Sequence, residues 1–107
     1  MRKIEVDENG NIFHVYRIHD DHDPHNPNGG LEIDEKHSDL HEEMMHFIND
    51  FRKAYIYDSA KGLRKKKSEE CEDDFKSHLK EFNEIPSGFV KKDLGKTYNK
   101  NEKKVLD

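Results

Sequence analysis

The sequence predicts a small single domain of the α+β class: an N-terminal β-hairpin, which a short third strand can extend, packed on two α-helices and followed by a flexible, basic C-terminal tail. Three observations lead there. An Asn9-Gly10 pair lies between two alternating segments near the start of the chain, and Asn-Gly is the preferred pair for a tight turn between right-twisting strands. From residue 40 onward the apolar residues recur at intervals of three and four rather than two, the period of a helix with one buried face. At 107 residues, with 40% charged and 31% hydrophobic, the chain has material for one thin core.

Closing a two-residue turn on Asn9-Gly10 pairs Val6 with Phe13 and Ile4 with Val15. Those four apolar side chains then share a face, and Lys3, Glu5, His14 and Tyr16 share the other, as strand alternation requires. A lone hairpin is marginal in water, so the apolar face must rest on another element, most simply a helix. Residues 19–36 read as a loop, because Asp23-Pro24, Asn26-Pro27 and Gly29-Gly30 succeed one another and proline denies a helix both geometry and a donor. Within it, Leu31 and Ile33 alternate as in a short strand.

Leu40, Met44, Phe47, Ile48, Phe51, Ala54 and Tyr55 form one helical stripe, and Asp39 followed by Glu42 makes a capping box, so a first helix is expected over about residues 39–59. A basic run from Lys61 to Lys67 then meets an acidic one from Glu69 to Asp74. Cations suit a helix C-terminus and anions an N-terminus, so this reversal, with Gly62 and Ser68 at the junction, separates the first helix from a second over about residues 68–83. One continuous helix is the alternative. Cys71, Phe75, Leu79 and Phe82 would face the core. Residues 86–107 show no hydrophobic period, which assigns 1–85 to the compact domain and 86–107 to the tail.

Charge and cysteine usage narrow the function. Of the net charge of −5, the tail carries +3, from six Lys against three acids, and the body −8. An acidic body with only four Arg argues against a nucleic-acid platform. The single Cys71 forms no intramolecular disulfide, and "MRKIEVDENG" offers no apolar signal segment, so a reducing cytoplasm is expected. Charged residues recur too often for the roughly 20 apolar residues of a membrane span. Oligomeric state leaves no mark on the sequence.

The histidines are the chemical feature. Eight occur in the chain, and His19, His22, His25, His37 and His41 fall within 23 positions. His22 and His25 form H-x2-H, while His37 and His41 form H-x3-H, a spacing that places both on one helix face. This pair, gap and pair resembles the ligand rhythm of a Cys2His2 zinc finger, in spacing only, because the first pair lacks thiolates. It also resembles the histidine-rich end of HNH-type nucleases, but the six residues between Gly30 and His37 leave no room for that site's second strand. His41 and His46, five positions apart, do not make an H-E-x-x-H motif. No cofactor is expected from these residues; the alternative is zinc on His22, His25, His37 and His41, with Asp20 or Asp23 as substitutes.

Cys71 sits on the apolar stripe among acids that would suppress its reactivity, so it packs. Three large residues in a row, Tyr55, Ile56 and Tyr57, cannot all face one core, and exposed aromatics are enriched at binding hot spots. With the acidic Glu69, Glu70, Asp73 and Asp74 they make the expected contact surface for another protein. The sequence is thus read as a non-enzymatic, acidic interaction module, of the kind that regulates or inhibits a host protein on behalf of a phage or mobile element. The alternative is a zinc-binding protein or metal-dependent hydrolase or nuclease built on the cluster from His19 to His41.

Overall fold

A computed structural model of the protein describes residues 1–18 and 29–95. Among these residues the elements are β1 (Arg2–Val6), β2 (Ile12–Arg17), β3 (Leu31–Ile33), α1 (Ser38–His46), α2 (Ile48–Ala54), β4 (Tyr55–Asp58), β5 (Gly62–Lys65) and β6 (Val90–Asp93). Four strands make an antiparallel sheet in the order β2-β1-β3-β6, and β4 and β5 form a separate antiparallel ribbon. The class is α+β, as the sequence predicts, with a hairpin, a third strand and two helices, both of which fall within the span expected for the first helix. No helix among the described residues is long and apolar enough to cross a membrane.

The first hairpin has the predicted register in its outer part, where Arg2 pairs with Arg17, Ile4 with Val15 and Glu5 with His14. A bulge between Glu5 and Val6 then sets Val6 opposite Ile12 rather than Phe13. The cause is a turn of three residues instead of two. Gly10 N donates to Asp7 O at 3.0 Å, Asp7 N donates to Asn11 O at 2.9 Å, and Gly10 takes φ +86°, the pattern of a three-residue hairpin loop closed by a left-handed glycine. The Asp7 carboxylate secures it, accepting from the backbone N–H groups of Asn9 and Asn11, each at 2.9 Å. Ile12 thereby occupies the buried place expected for Phe13, which is left half-buried.

Ile4, Val15, Leu31 and Ile33 share the sheet face that packs with Met44 of α1 and with Phe51 and Ala54 of α2. Lys3, Glu5 and Tyr16 share the opposite face, and all three are buried, Lys3 at 0% and Glu5 at 1% exposure. Buried charge requires partners. Tyr16 donates its hydroxyl to Glu5 Oε1 at 2.8 Å, while burial pushes the Lys3 ammonium below and the Tyr16 phenol above their ordinary ranges.

Three expectations need correction, two of them helical. First, the helix expected over residues 39–59 breaks at Phe47 (φ −119°, ψ 43°) and ends at Ala54. Tyr55, Ile56, Tyr57 and Asp58 are a strand instead, because aromatic and β-branched residues fit a pleated surface and residues 62–65 supply the partner. Second, residues 68–83 contain only single 3₁₀ turns, Ser68–Glu70 and Leu79–Glu81; a run of like charges three and four apart opposes an α-helix there. Cys71, Phe75 and Leu79 are nevertheless buried, as their spacing implies. Third, residues 86–95, expected in the tail, join the compact domain: Phe89 is 1% exposed, its carbonyl accepts from Asp34 N at 3.0 Å, and β6 pairs with β3. Residues 96–107 lie outside the described residues.

Candidate functional site

The fold divides the histidines expected to hold zinc. His22 and His25, with their substitutes Asp20 and Asp23, lie outside the described residues. His37 is half-buried before α1, its ring tilted against Phe89 with centroids 5.7 Å apart, and its Nε2 is enclosed without a hydrogen-bond partner. His41, one helical turn on, is 0% exposed. Its Nε2 lies 3.1 Å from the Lys3 carbonyl oxygen; a carbonyl only accepts, so Nε2 carries the proton and Nδ1 is the bare nitrogen. Arg2 Nη1 stands 3.5 Å from that Nδ1. Burial holds the imidazole below the ordinary histidine range, the Lys3 bond opposes this, and Arg2 reinforces it. Among the described residues, no three His, Cys, Asp or Glu side chains converge as metal ligands.

Around His41 a set of ion pairs joins α1 to the sheet. Arg2 bonds Glu42 and, at 3.1 Å, Glu35, and Arg17 stands 3.4 Å from Glu42. The Arg2 hydrogen bond holds the Glu42 carboxyl below the usual carboxylate range. Both nitrogens of His41 and the carboxylate beside it therefore serve the packing of α1.

The residues expected to meet a partner separate in the same way. Tyr55 belongs to the core, stacked with Phe51 at 5.3 Å and edge-on to Phe82 at 6.0 Å, and donates its hydroxyl to Asn83 O at 2.6 Å. Ile56 is half-buried opposite Arg64 and bridged to Asn11. Tyr57 is half-buried with its hydroxyl on the Asp93 carboxylate, and that bond pushes its phenol up to about 12. Glu70 accepts a two-pronged bond from Arg64 at 2.8 and 3.0 Å, which holds its carboxyl down at about 2. Glu69, Asp73 and Asp74 are exposed, Asp73 lying 3.1 Å from Lys76.

The most conspicuous exposed aromatic is one that the helical stripe assigns to the core. Phe47 is 58% exposed, because the break between α1 and α2 falls on it and rotates it out of the stripe. Its N–H still reaches Glu43 O at 2.9 Å, and its own carbonyl accepts from Phe51 N at 3.1 Å, so the ring stands on a hydrogen-bonded joint. Nearby on α2, Asp50 borders a hollow over Phe75 and Phe82 whose rim also carries Asp74 and Glu81, with Lys53 and His78. The one signal of this in the sequence is that Phe47 and Ile48 are adjacent, too wide a pair for a single narrow stripe. Comparison with known proteins finds no matching family model, no matching curated protein and no matching solved structure.

Proposed function

We propose that the protein is a non-catalytic binding module that engages another protein through the acid-rimmed face of α2. The exposed Phe47 carries the reading, since Phe is among the aromatic residues enriched in protein interfaces relative to the rest of the surface. Asp50, whose N–H bonds the Phe47 carbonyl, lines the adjoining hollow with Asp74 and Glu81, three acids against Lys53, which favours a partner that offers an apolar socket ringed by basic groups. Regulation or inhibition of that partner follows from covering its socket. Against hydrolytic chemistry stands the engagement of His41, whose ring nitrogens face Lys3 O and Arg2.

Co-purification from the native cell tests the proposal, using the wild type, Phe47→Ser, and the pair Asp74→Lys with Glu81→Lys, each checked for folding by circular dichroism. One protein retained by the wild type and lost from both folded variants is the expected result. Identical sets of retained proteins in all three would end the proposal. Zinc binding is the second reading, favoured by the enclosed and unpartnered Nε2 of His37. An untagged, chelator-washed sample that takes up one equivalent of zinc, and loses it in His37→Ala, would replace the first reading with this one.

A further inference from the structure

A second depression lies between the turn of the first hairpin and α2. Asn11, Ile12 and Phe13 line it from the hairpin, Asn49 and Arg52 from α2, and Lys66 from beyond β5. Its two carboxylates are already engaged: Asp7 holds the hairpin turn, and Glu72 stands 3.9 Å from Lys53. Arg52 and Lys66 have no carboxylate partner among the described residues. Arg52, Lys53 and Lys66 against Asp7 and Glu72 leave the groove one positive charge in excess, in a chain whose net charge is −5.

Arg52 is also preorganised. Its Nε donates to Ile12 O at 3.1 Å and its Nη2 to Phe13 O at 2.6 Å, consecutive carbonyls beside the bulge. These two bonds use the side of the guanidinium and fix its plane. The end of the fork, both N–H groups of Nη1 and the second of Nη2, is left to donate. A fixed guanidinium with its end free is suited to two oxygens of one oxyanion.

We propose that this groove is a receptor for a phosphomonoester dianion. Donor number selects the ligand, since the end of the Arg52 fork together with Lys66 offers more donors than the two oxygens of one carboxylate can take, whereas a phosphomonoester presents three acceptor oxygens and carries about −1.5 to −2 at neutral pH. The side-chain amide of Asn49 and the Asn11 Nδ2 hydrogen not given to Asp7 Oδ2 supply further donors, and Ile12 and Phe13 give the organic half of the ester an apolar wall. The site shares only Lys53 with the hollow on the face proposed to meet a protein.

The test is an amide-resolved NMR titration of the full chain at constant ionic strength with inorganic phosphate, phenyl phosphate, sodium acetate and sodium chloride. The two phosphates are expected to shift the Asn11 to Phe13 amides and the Arg52 Nε–H saturably, phenyl phosphate at lower concentration. Arg52→Lys should weaken binding about tenfold or more, the value of one charge-assisted bond. Because Arg52 also holds strand carbonyls, Lys66→Gln is the decisive variant: the Lys66 side chain makes no bond among the described residues, and its replacement should weaken binding severalfold without loss of stability. Lowering the pH from 7.5 to 5.5, across the second phosphate pKa of about 6, should weaken it likewise. O-phosphoserine and adenosine monophosphate then separate a side chain from a nucleotide as the source of the ester, and either one binding more tightly than inorganic phosphate supports the site. Equal shifts from acetate or chloride, unchanged affinity in Lys66→Gln, or no preference for either ester would overturn it.

Discussion

Gly10→Ala should separate two effects that glycine substitutions usually mix, with Gly62→Ala as its control. Both glycines lie in the left-handed region, at φ +86° and +81°, where an L-residue costs about 1 to 2 kcal/mol. Their surroundings differ. A Cβ at Gly62 would have nothing within 4 Å, whereas one at Gly10 would lie 2.1 Å from the Tyr57 carbonyl oxygen. No rotamer relieves a contact with backbone, so β4 has to withdraw, and withdrawal breaks the 2.8 Å bond from Tyr57 N to Gly10 O. Losing that bond costs about 1 kcal/mol, rising to about 3 if either group stays buried and unpaired. Gly10→Ala is therefore expected to lose about 2 to 5 kcal/mol and Gly62→Ala about 1 to 2, from a total of about 5 to 15 for domains of this kind. Urea unfolding followed by circular dichroism measures both losses, with the slope against denaturant unchanged. Since φ is common to the two sites, equal losses would refute the inference that the β4–β5 ribbon is seated on the first hairpin's turn.

Three further perturbations bear on the packing. Because His41 is held below the ordinary histidine range, the unfolded chain takes up its proton first; stability is fully present above about pH 6.5 and falls as the pH drops through that value. His41→Gln should flatten this part of the pH profile in urea titrations, and an unchanged slope would show that other groups govern it. Phe89→Ala should cost about 3 to 5 kcal/mol as a core truncation, whereas a loss below about 1 kcal/mol would return residues 86–95 to the tail. Tyr57→Phe removes the donor to Asp93 and should cost about 1 kcal/mol by the same unfolding measurement; no loss would mean that β6 needs no tie to β4.

What the sequence made legible was what local chemistry decides. The Asn9-Gly10 pair located the first turn, and alternation placed Ile4, Val15, Leu31 and Ile33 on one face. The bulge was hidden because Asp7 can close a loop of two or three residues, and the choice depends on how Gly10 meets Tyr57, far along the chain. The strand at Tyr55 was hidden for a related reason: up to Tyr55 the helical spacing is satisfied, and only pairing with residues 62–65 decides against another turn of helix. In residues 71–82 the buried positions were legible while their conformation was not, since burial follows from spacing and the α-helix requires favourable charge placement as well. β6 gave the weakest signal, four residues with Val90 alone apolar, and its pairing partner lies near residue 32. At the site, histidine spacing drew attention to His41, whose position is set by Arg2 and the Lys3 carbonyl. The exposure of Phe47 and the anchoring of Arg52 depend on a helix break and on a bulge, neither of which the sequence displays.

The buried polar layer on the second sheet face bears on why this thin core specifies one structure. Strand side chains alternate, so a slip of β1 by one residue would send Lys3 and Glu5 under the helices and turn Ile4 and Val6 to the other side. In the observed register Glu5 meets the Tyr16 hydroxyl at 2.8 Å, and Lys3 has Glu5 and Glu32 as its favourable charges. Under the helices those partners would be replaced by Met44, Phe51 and Ala54, and an unpaired ion there costs several kcal/mol, more than the roughly 1.5 to 3 kcal/mol that a well-buried aliphatic side chain contributes. Lys3 and Glu5 therefore discriminate against the slipped pairing more strongly than the apolar residues of β1 do. This discrimination compensates for low apolar content: in a chain with 31% hydrophobic residues, the ion and hydrogen-bond partners on one face of the sheet set the alignment that the core on the other face then fills.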